Sequence, residues 1–119
     1  MAVQFFPNAG LKRWDIFIPK SISFNTLSAS IHKQSQCYKY PTDDIYIYIG
    51  IECQLFDIEV LENFEILFSH SPIQKIYFVI NEENPQLEKM DRILRFMHQV
   101  YEYNVYMLKA KNINNKSTY

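Results

Sequence analysis

The sequence predicts an α/β fold: a single three-layer domain with a mostly parallel sheet of about four strands, flanked by about three helices. Two observations predict it. Segments with the two-residue period of strands alternate along the chain with segments of helical period, which indicates β-α-β units and parallel pairing. The chain has 119 residues, of which 48% are hydrophobic and 21% charged, the profile of one ordinary globular domain. We expect the domain to span 1–110 and the polar, Asn-rich stretch 111–119 to form a tail.

The first third of the chain carries the weaker structural signals. Residues 14–18 are predicted to form a strand, and Ser23 is the candidate N-cap of a helix over 24–33. Residues 34–43 are predicted to form a loop. The segment before Arg13 either adds an edge strand or packs across one end of the sheet.

The clearest strand covers residues 44–51. Four isoleucines alternate there with Tyr46, Tyr48 and Gly50, so the isoleucines share one face of the strand and the tyrosines the other. Both faces are apolar enough to be covered. We therefore expect a central strand with helices on each side of the sheet.

The rest of the chain continues the alternation of helix and strand. A helix over 57–69 is followed by a strand over 75–80 with apolar residues on both faces. Asn84 is the candidate N-cap of the next helix and Pro85 its first residue. Residues 105–108 are predicted to form the last strand. The helix before it carries one apolar stripe, formed by Leu87, Met90, Ile93, Leu94, Met97, Val100 and Tyr101.

Charge and cysteine content bound the partners and the location. The formal net charge is -1, so no overall positive field favours nucleic-acid binding. No apolar run is long enough to cross a bilayer, and the first residues lack the features of a signal peptide. We therefore expect a cytoplasmic protein that does not bind membranes, with Cys37 and Cys53 both reduced.

The candidate chemistry lies at the carboxyl ends of the predicted strands, where open α/β sheets bind their ligands. Glu52 follows one predicted strand, and Glu82 and Glu83 follow the next. Together they could bind a divalent cation or act in acid–base catalysis, but a solvated acidic rim is the simpler interpretation. The two glycines of the chain cannot form a dinucleotide-binding or phosphate-binding loop. We predict no catalytic residue, metal site or cofactor.

Aromatic residues make up 16% of the chain, which suits a surface for partner contact but also follows from a bias in nucleotide composition. Tyr38 and Tyr40 stand among lysines at 33 and 39, a mixture that can stack on single-stranded nucleic acid. Packing of a tyrosine-containing loop against lysine side chains is the preferred interpretation.

Three functions are compatible with these observations. The preferred hypothesis is a non-catalytic protein-binding module, such as a small intracellular inhibitor or immunity-type protein, whose contact residues include Glu52, Glu82, Glu83, Tyr38 and Tyr40. Its acidic rim would face a basic partner, for example a nuclease toxin. The alternatives are a small enzyme or ligand-binding domain that uses the carboxyl edge, with Lys20 in its pocket, and a nucleic-acid-associated accessory protein. A homodimer through Tyr46 and Tyr48 or through the Met-rich helix stays open.

Overall fold

The structure, a computed structural model, describes residues 3–8, 10–18, 22–37, 44–55, 60–69 and 75–111. Over these residues the strands and helices alternate as predicted after an additional first strand. The strands are β1 (Gln4–Asn8), β2 (Arg13–Phe17), β3 (Asp44–Ile49), β4 (Ile76–Asn81) and β5 (Val105–Ala110). The helices are α1 (Phe24–Cys37), α2 (Val60–Ser69) and α3 (Leu87–Gln99). Tyr38, Tyr40, Lys20 and most of the predicted tail lie outside the described residues.

The sheet differs from the prediction in strand number and in direction. It has five strands rather than four, in the order β1-β2-β3-β4-β5, and it is mixed rather than mostly parallel. β1 is the additional edge strand and runs antiparallel to β2, because the short connection 9–12 allows only a hairpin. β2, β3, β4 and β5 pair in parallel, each joined to the next by a helix.

The helix ends also differ from the predicted ones. Ser23 caps α1 as expected, since its hydroxyl oxygen accepts a hydrogen bond of 3.1 Å from the Thr26 N–H. α1 continues to Cys37, into the predicted loop, because no glycine or proline ends it earlier. α3 begins at Leu87 rather than after Asn84, whose side chain bonds to the carbonyls of Gly50 and Cys53.

One hydrophobic core lies on a single face of the sheet. Phe78 of β4 contacts Phe24 of α1 and Phe64 of α2, with ring centroids 6.3 and 6.0 Å apart. The strand residues of this core occupy alternate positions along their strands and all point to the helical side of the sheet: Ile16, Ile45, Ile47, Ile49, Ile76, Phe78, Ile80 and Val105. The helices contribute Phe24, Leu27, Ile31, Phe64, Leu67, Met90, Leu94 and Met97 to the same cluster.

The described domain therefore has two layers, and the predicted third layer was wrong. Parallel strands that follow one another in chain order are joined by right-handed crossovers, which place every connecting helix on the same side of the sheet. The described helices pack against the other face from Tyr46 and Tyr48, and α3 reaches the tyrosine-bearing face only at its edge, where the His98 ring lies 5.3 Å from the Tyr106 ring. In the described part of the chain, no helix has both the length and the apolar character needed to span a membrane.

Candidate functional site

A row of tyrosines runs across the face of the sheet that the helices leave uncovered. The register places Tyr46 of β3 beside Tyr77 of β4, and Tyr77 beside Tyr106 of β5. Each side chain is partly exposed. We call these three residues the tyrosine row.

The rings of the tyrosine row stand edge-on to the sheet. The centroids of Tyr46 and Tyr77 are 4.5 Å apart with an angle of 14° between the ring planes, and those of Tyr77 and Tyr106 are 5.2 Å apart at 27°. Two rings lying flat side by side would overlap at these separations, which are close to the spacing between strands. The rings are therefore stacked face to face, and Tyr77 has a tyrosine on both of its faces.

Charged and aromatic groups adjoin the two ends of the tyrosine row. The guanidinium carbon of Arg13 lies over the Tyr46 ring, 4.4 Å from its centroid, which is a cation–π contact. At the other end, the His98 ring lies 5.3 Å from the Tyr106 ring. Neighbouring groups thus occupy both faces of Tyr77 and lie over Tyr46, and the Tyr106 hydroxyl lies 3.5 Å from Asn104 Oδ1.

A second aromatic pair lies beside the tyrosine row, on the same face of the sheet. Phe17 stacks on Tyr48 at 4.7 Å, and the Tyr48 hydroxyl donates a hydrogen bond of 2.9 Å to Asp15 Oδ1. Arg13 Nε lies 3.2 Å from the same carboxylate oxygen. Burial, followed by the hydrogen bond to Asp15, raises the pKa of Tyr48 to about 12. Polar groups therefore fix the aromatic side chains of β2 and β3 in place.

The predicted acidic residues lie in the turns after β3 and β4, at the carboxyl edge of the sheet. Glu52, Glu82 and Glu83 are all exposed. The Glu82 N–H donates to the Ala110 carbonyl, and the Glu83 N–H donates to Asn81 Oδ1. Within the described residues, no group of three or more His, Cys, Asp or Glu side chains could hold a metal ion. The carboxylates thus lie on the solvent side of two hydrogen-bonded turns.

Asn84 occupies the interior of this edge. Its side chain is buried and its Nδ2 donates to the carbonyls of Gly50 and Cys53, at 2.7 and 3.0 Å. Its Oδ1 accepts a hydrogen bond of 2.8 Å from the Gln86 N–H. The side chain therefore joins the turn after β4 to the turn after β3, instead of capping α3.

Cys53 is part of the same buried structure. The residue is fully buried, and burial raises the pKa of its thiol to about 12. A thiol in this environment is protonated at neutral pH and is a poor nucleophile. Cys53 therefore acts as a small apolar core residue.

Sequence reasoning placed Tyr46 on a separate face of β3 but did not identify the tyrosine row. Tyr77 and Tyr106 each lie in a short apolar strand, and their alignment with Tyr46 depends on the register of three strands. The available signal was the recurrence of one tyrosine early in each of three consecutive predicted strands.

The chain has no significant match among models of protein families, curated proteins or solved structures.

Proposed function

We propose that this protein is a non-catalytic protein-binding module that contacts its partner through the tyrosine row. The observation that carries the proposal is a stack of three partly exposed tyrosines on a sheet face that none of the described helices covers. Tyrosine is enriched in protein interfaces because it offers a large, rigid contact area and a hydroxyl group at low cost in conformational entropy.

The geometry of the rings favours a protein partner over a nucleic acid. Proteins that bind single strands on an open sheet use aromatic rings whose faces are available for stacking with bases. Here the faces of Tyr77 are occupied by Tyr46 and Tyr106, and Arg13 lies over Tyr46. The net charge of -1 adds no general attraction for phosphate groups.

The strand order supports the binding module over a small enzyme. Open α/β sheets bind ligands in the crevice that forms where the strand order reverses and the helices diverge to opposite faces. β2, β3, β4 and β5 follow one another in chain order, so this part of the sheet has no such reversal. The interior of the carboxyl edge is filled by the buried Asn84 and Cys53.

A narrower proposal is that the protein is a small intracellular inhibitor or immunity-type protein. The exposed Glu52, Glu82 and Glu83 at the carboxyl edge would then attract a basic partner and increase its rate of association. Under this proposal, adding the protein abolishes an activity of the partner. Replacing all three glutamates with glutamine reduces the association rate, mainly at low salt.

The proposal is tested by photo-crosslinking in the source cells. Benzoylphenylalanine replaces Tyr77 in one variant and Glu88, an exposed residue on the helical side, in a control. We expect a crosslinked adduct of one defined mass from position 77 only. The partner identified in the adduct should then bind the purified Tyr77→Ala variant at least about tenfold more weakly, and Glu88→Ala unchanged.

Three outcomes would contradict the proposal: equal adducts from both positions, no adduct from position 77, or an adduct only with a second copy of the chain. Circular dichroism and thermal melting of Tyr77→Ala separate loss of binding from loss of folding. Tyr77→Phe is the matched variant, since it keeps the stacked ring and removes only the hydroxyl group.

A further inference from the structure

We propose that the outer edge of β5 binds an extended, acidic segment of another protein, which adds to the sheet as a further strand. This surface is separate from the tyrosine row and meets it only at Tyr106. The inference does not depend on the function proposed above.

The outer edge of β5 offers backbone groups for such pairing. Asn104 and Ala110 direct their carbonyls to β4, where they accept from the N–H groups of Ile76 and Glu82. Because successive residues of a strand point their backbone groups to opposite edges, Met107 and Lys109 direct theirs away from β4. β5 is the last strand in the order of the described sheet, so no described strand pairs with these groups.

The other edge of the sheet is less suited to strand addition. β1 contains Pro7, which has no N–H group to donate to a further strand. β5 contains no proline along its six residues. Of the two edges, β5 therefore offers the more complete set of donors and acceptors.

A groove between α3 and β5 gives the added strand a place to lie. Its volume is about 210 Å³. The apolar part of its lining is formed by Leu94, Val105 and Met107, and the polar part by residues of α3 that include Arg95 and His98. A strand edge beside a helix, with an apolar floor and a polar rim, is the arrangement in which peptides bind by strand addition.

The charges around the groove favour an acidic segment. Arg95 lines the groove and forms an ion pair of 3.0 Å with Asp91 on the same helix. Val105, Met107 and Lys109 are spaced two residues apart in β5, so their side chains point to the same face of the strand. The Lys109 side chain therefore lies on the groove side of β5. Lys111 follows directly and is exposed. Among the residues that line the groove, the charges of Arg95 and Asp91 offset each other, so the positive charge beside it comes from Lys109 and Lys111.

A second copy of this chain fits the groove less well than an extended segment. Two-fold pairing of β5 with β5 would bring the two α3 helices side by side. α3 carries three basic and two acidic side chains, so each of the facing helices would bring a net positive charge. An acidic segment without a helix of its own avoids that repulsion.

The inference is tested by titrating the isotope-labelled protein with three synthetic octapeptides and recording backbone amide shifts. The first alternates glutamate with valine, the second alternates lysine with valine, and the third is the acidic peptide with its valines replaced by proline. We expect the acidic peptide to shift the amides of Met107 and Lys109 with a Kd of about 1 mM or below. The basic and proline peptides should bind at least about tenfold more weakly.

Two variants separate backbone pairing from charge. Lys109→Pro removes an outward N–H group without removing a hydrogen bond to β4, whereas Lys109→Ala removes the charge and keeps the N–H group. We expect Lys109→Pro to bind the acidic peptide at least about fivefold more weakly than Lys109→Ala. Arg95→Glu, on the surface of α3, should weaken binding of the acidic peptide without removing any strand group.

The inference is overturned if the acidic peptide shifts no amide of β5, or if all three peptides bind equally. Equal binding by Lys109→Pro and Lys109→Ala, or no effect of Arg95→Glu, would also contradict it. Tyr46→Ala, at the end of the tyrosine row farther from the groove, should leave peptide binding unchanged. Failure of this inference is therefore distinguishable from failure of the proposed function, which is tested through position 77.

Discussion

Replacing Asn84 with alanine is expected to destabilise the protein strongly, because this side chain joins two turns at the carboxyl edge. Asn84 donates to the carbonyls of Gly50 and Cys53 and accepts from the Gln86 N–H. The residue is only 3% exposed, so water does not readily replace the lost partners. Alanine would remove one hydrogen bond each from the Gly50 carbonyl, the Cys53 carbonyl and the Gln86 N–H group.

The expected loss follows from these three contacts. A hydrogen bond contributes about 1 kcal/mol net, and a buried polar group left without a partner costs about 1–3 kcal/mol. The Gly50 carbonyl keeps a long contact of 3.4 Å from the Cys53 N–H, which offsets part of the cost. We therefore expect Asn84→Ala to lower the free energy of unfolding by about 3 kcal/mol, a large part of the roughly 5–15 kcal/mol typical of a domain.

Equilibrium unfolding in urea measures this loss directly. With an m-value of about 2 kcal/mol/M, the midpoint should fall by about 1.5 M while the m-value stays constant. Asn84→Asp should be at least as destabilising at neutral pH, because a carboxylate would face two carbonyl oxygens. The control is Glu83→Gln in the same turn, which should change stability by less than about 0.5 kcal/mol. A loss below about 1 kcal/mol for Asn84→Ala would refute the role given to Asn84.

Three further predictions concern strain, titration and thiol reactivity. Lys12 and Glu102 have positive φ angles of 52° and 59°, which glycine adopts at lower cost than other residues. Replacing either with glycine should raise the free energy of unfolding by about 0.5–1 kcal/mol in urea unfolding, and a decrease would contradict this. The pKa of Tyr48 lies at about 12 in the folded protein, above its unfolded value of about 10, so the folded state holds more protons and stability falls as the pH rises from 10 to 12. This fall in the free energy of unfolding is on the order of 1 kcal/mol after solvent screening, and Tyr48→Phe should reduce it. The same pH profile for Tyr48→Phe and the unsubstituted protein would contradict this role of Tyr48. In a Cys37→Ser background, Cys53 should react with Ellman's reagent only when denaturant unfolds the protein, and fast reaction of the native protein would show that the thiol is accessible.

The alternation of strands and helices was predictable because it depends on local periodicity. The alternating isoleucines of β3 and the apolar stripe of α3 each have a period that the chain carries within one element. The strand β1 was predicted only as one alternative, because its five residues include Pro7 and its apolar pattern is short. Parallel pairing of the later strands followed correctly from the helices between them.

The number of layers could not be predicted from apolar character alone. Tyr46 and Tyr48 made both faces of β3 look apolar, which favoured helices on each side. In the fold, Tyr46 shares contact area with Tyr77, and Tyr48 with Phe17, so the side chains shield one another without a covering helix. That mutual shielding depends on strand register, which is a non-local property.

Asn84 illustrates why a local motif can mislead. Asparagine followed by proline is a normal start for a helix, and the sequence predicted a cap there. The same side chain can instead accept from a backbone N–H two residues later and donate elsewhere. The carbonyls of Gly50 and Cys53, more than thirty residues earlier in the chain, select the second arrangement.

Glu52, Glu82 and Glu83 were predicted correctly as an exposed acidic rim, and their role in binding a partner stays a prediction.

The most direct test of the sheet face that the described helices leave uncovered is hydroxyl-radical footprinting of the free protein, read by mass spectrometry at neighbouring residues of β4. Tyr77 points to the uncovered face and is partly exposed, whereas Phe78 points into the core and is fully buried. We expect rapid oxidation of Tyr77 and protection of Phe78. Protection of Tyr77 to the same degree as Phe78 would contradict it.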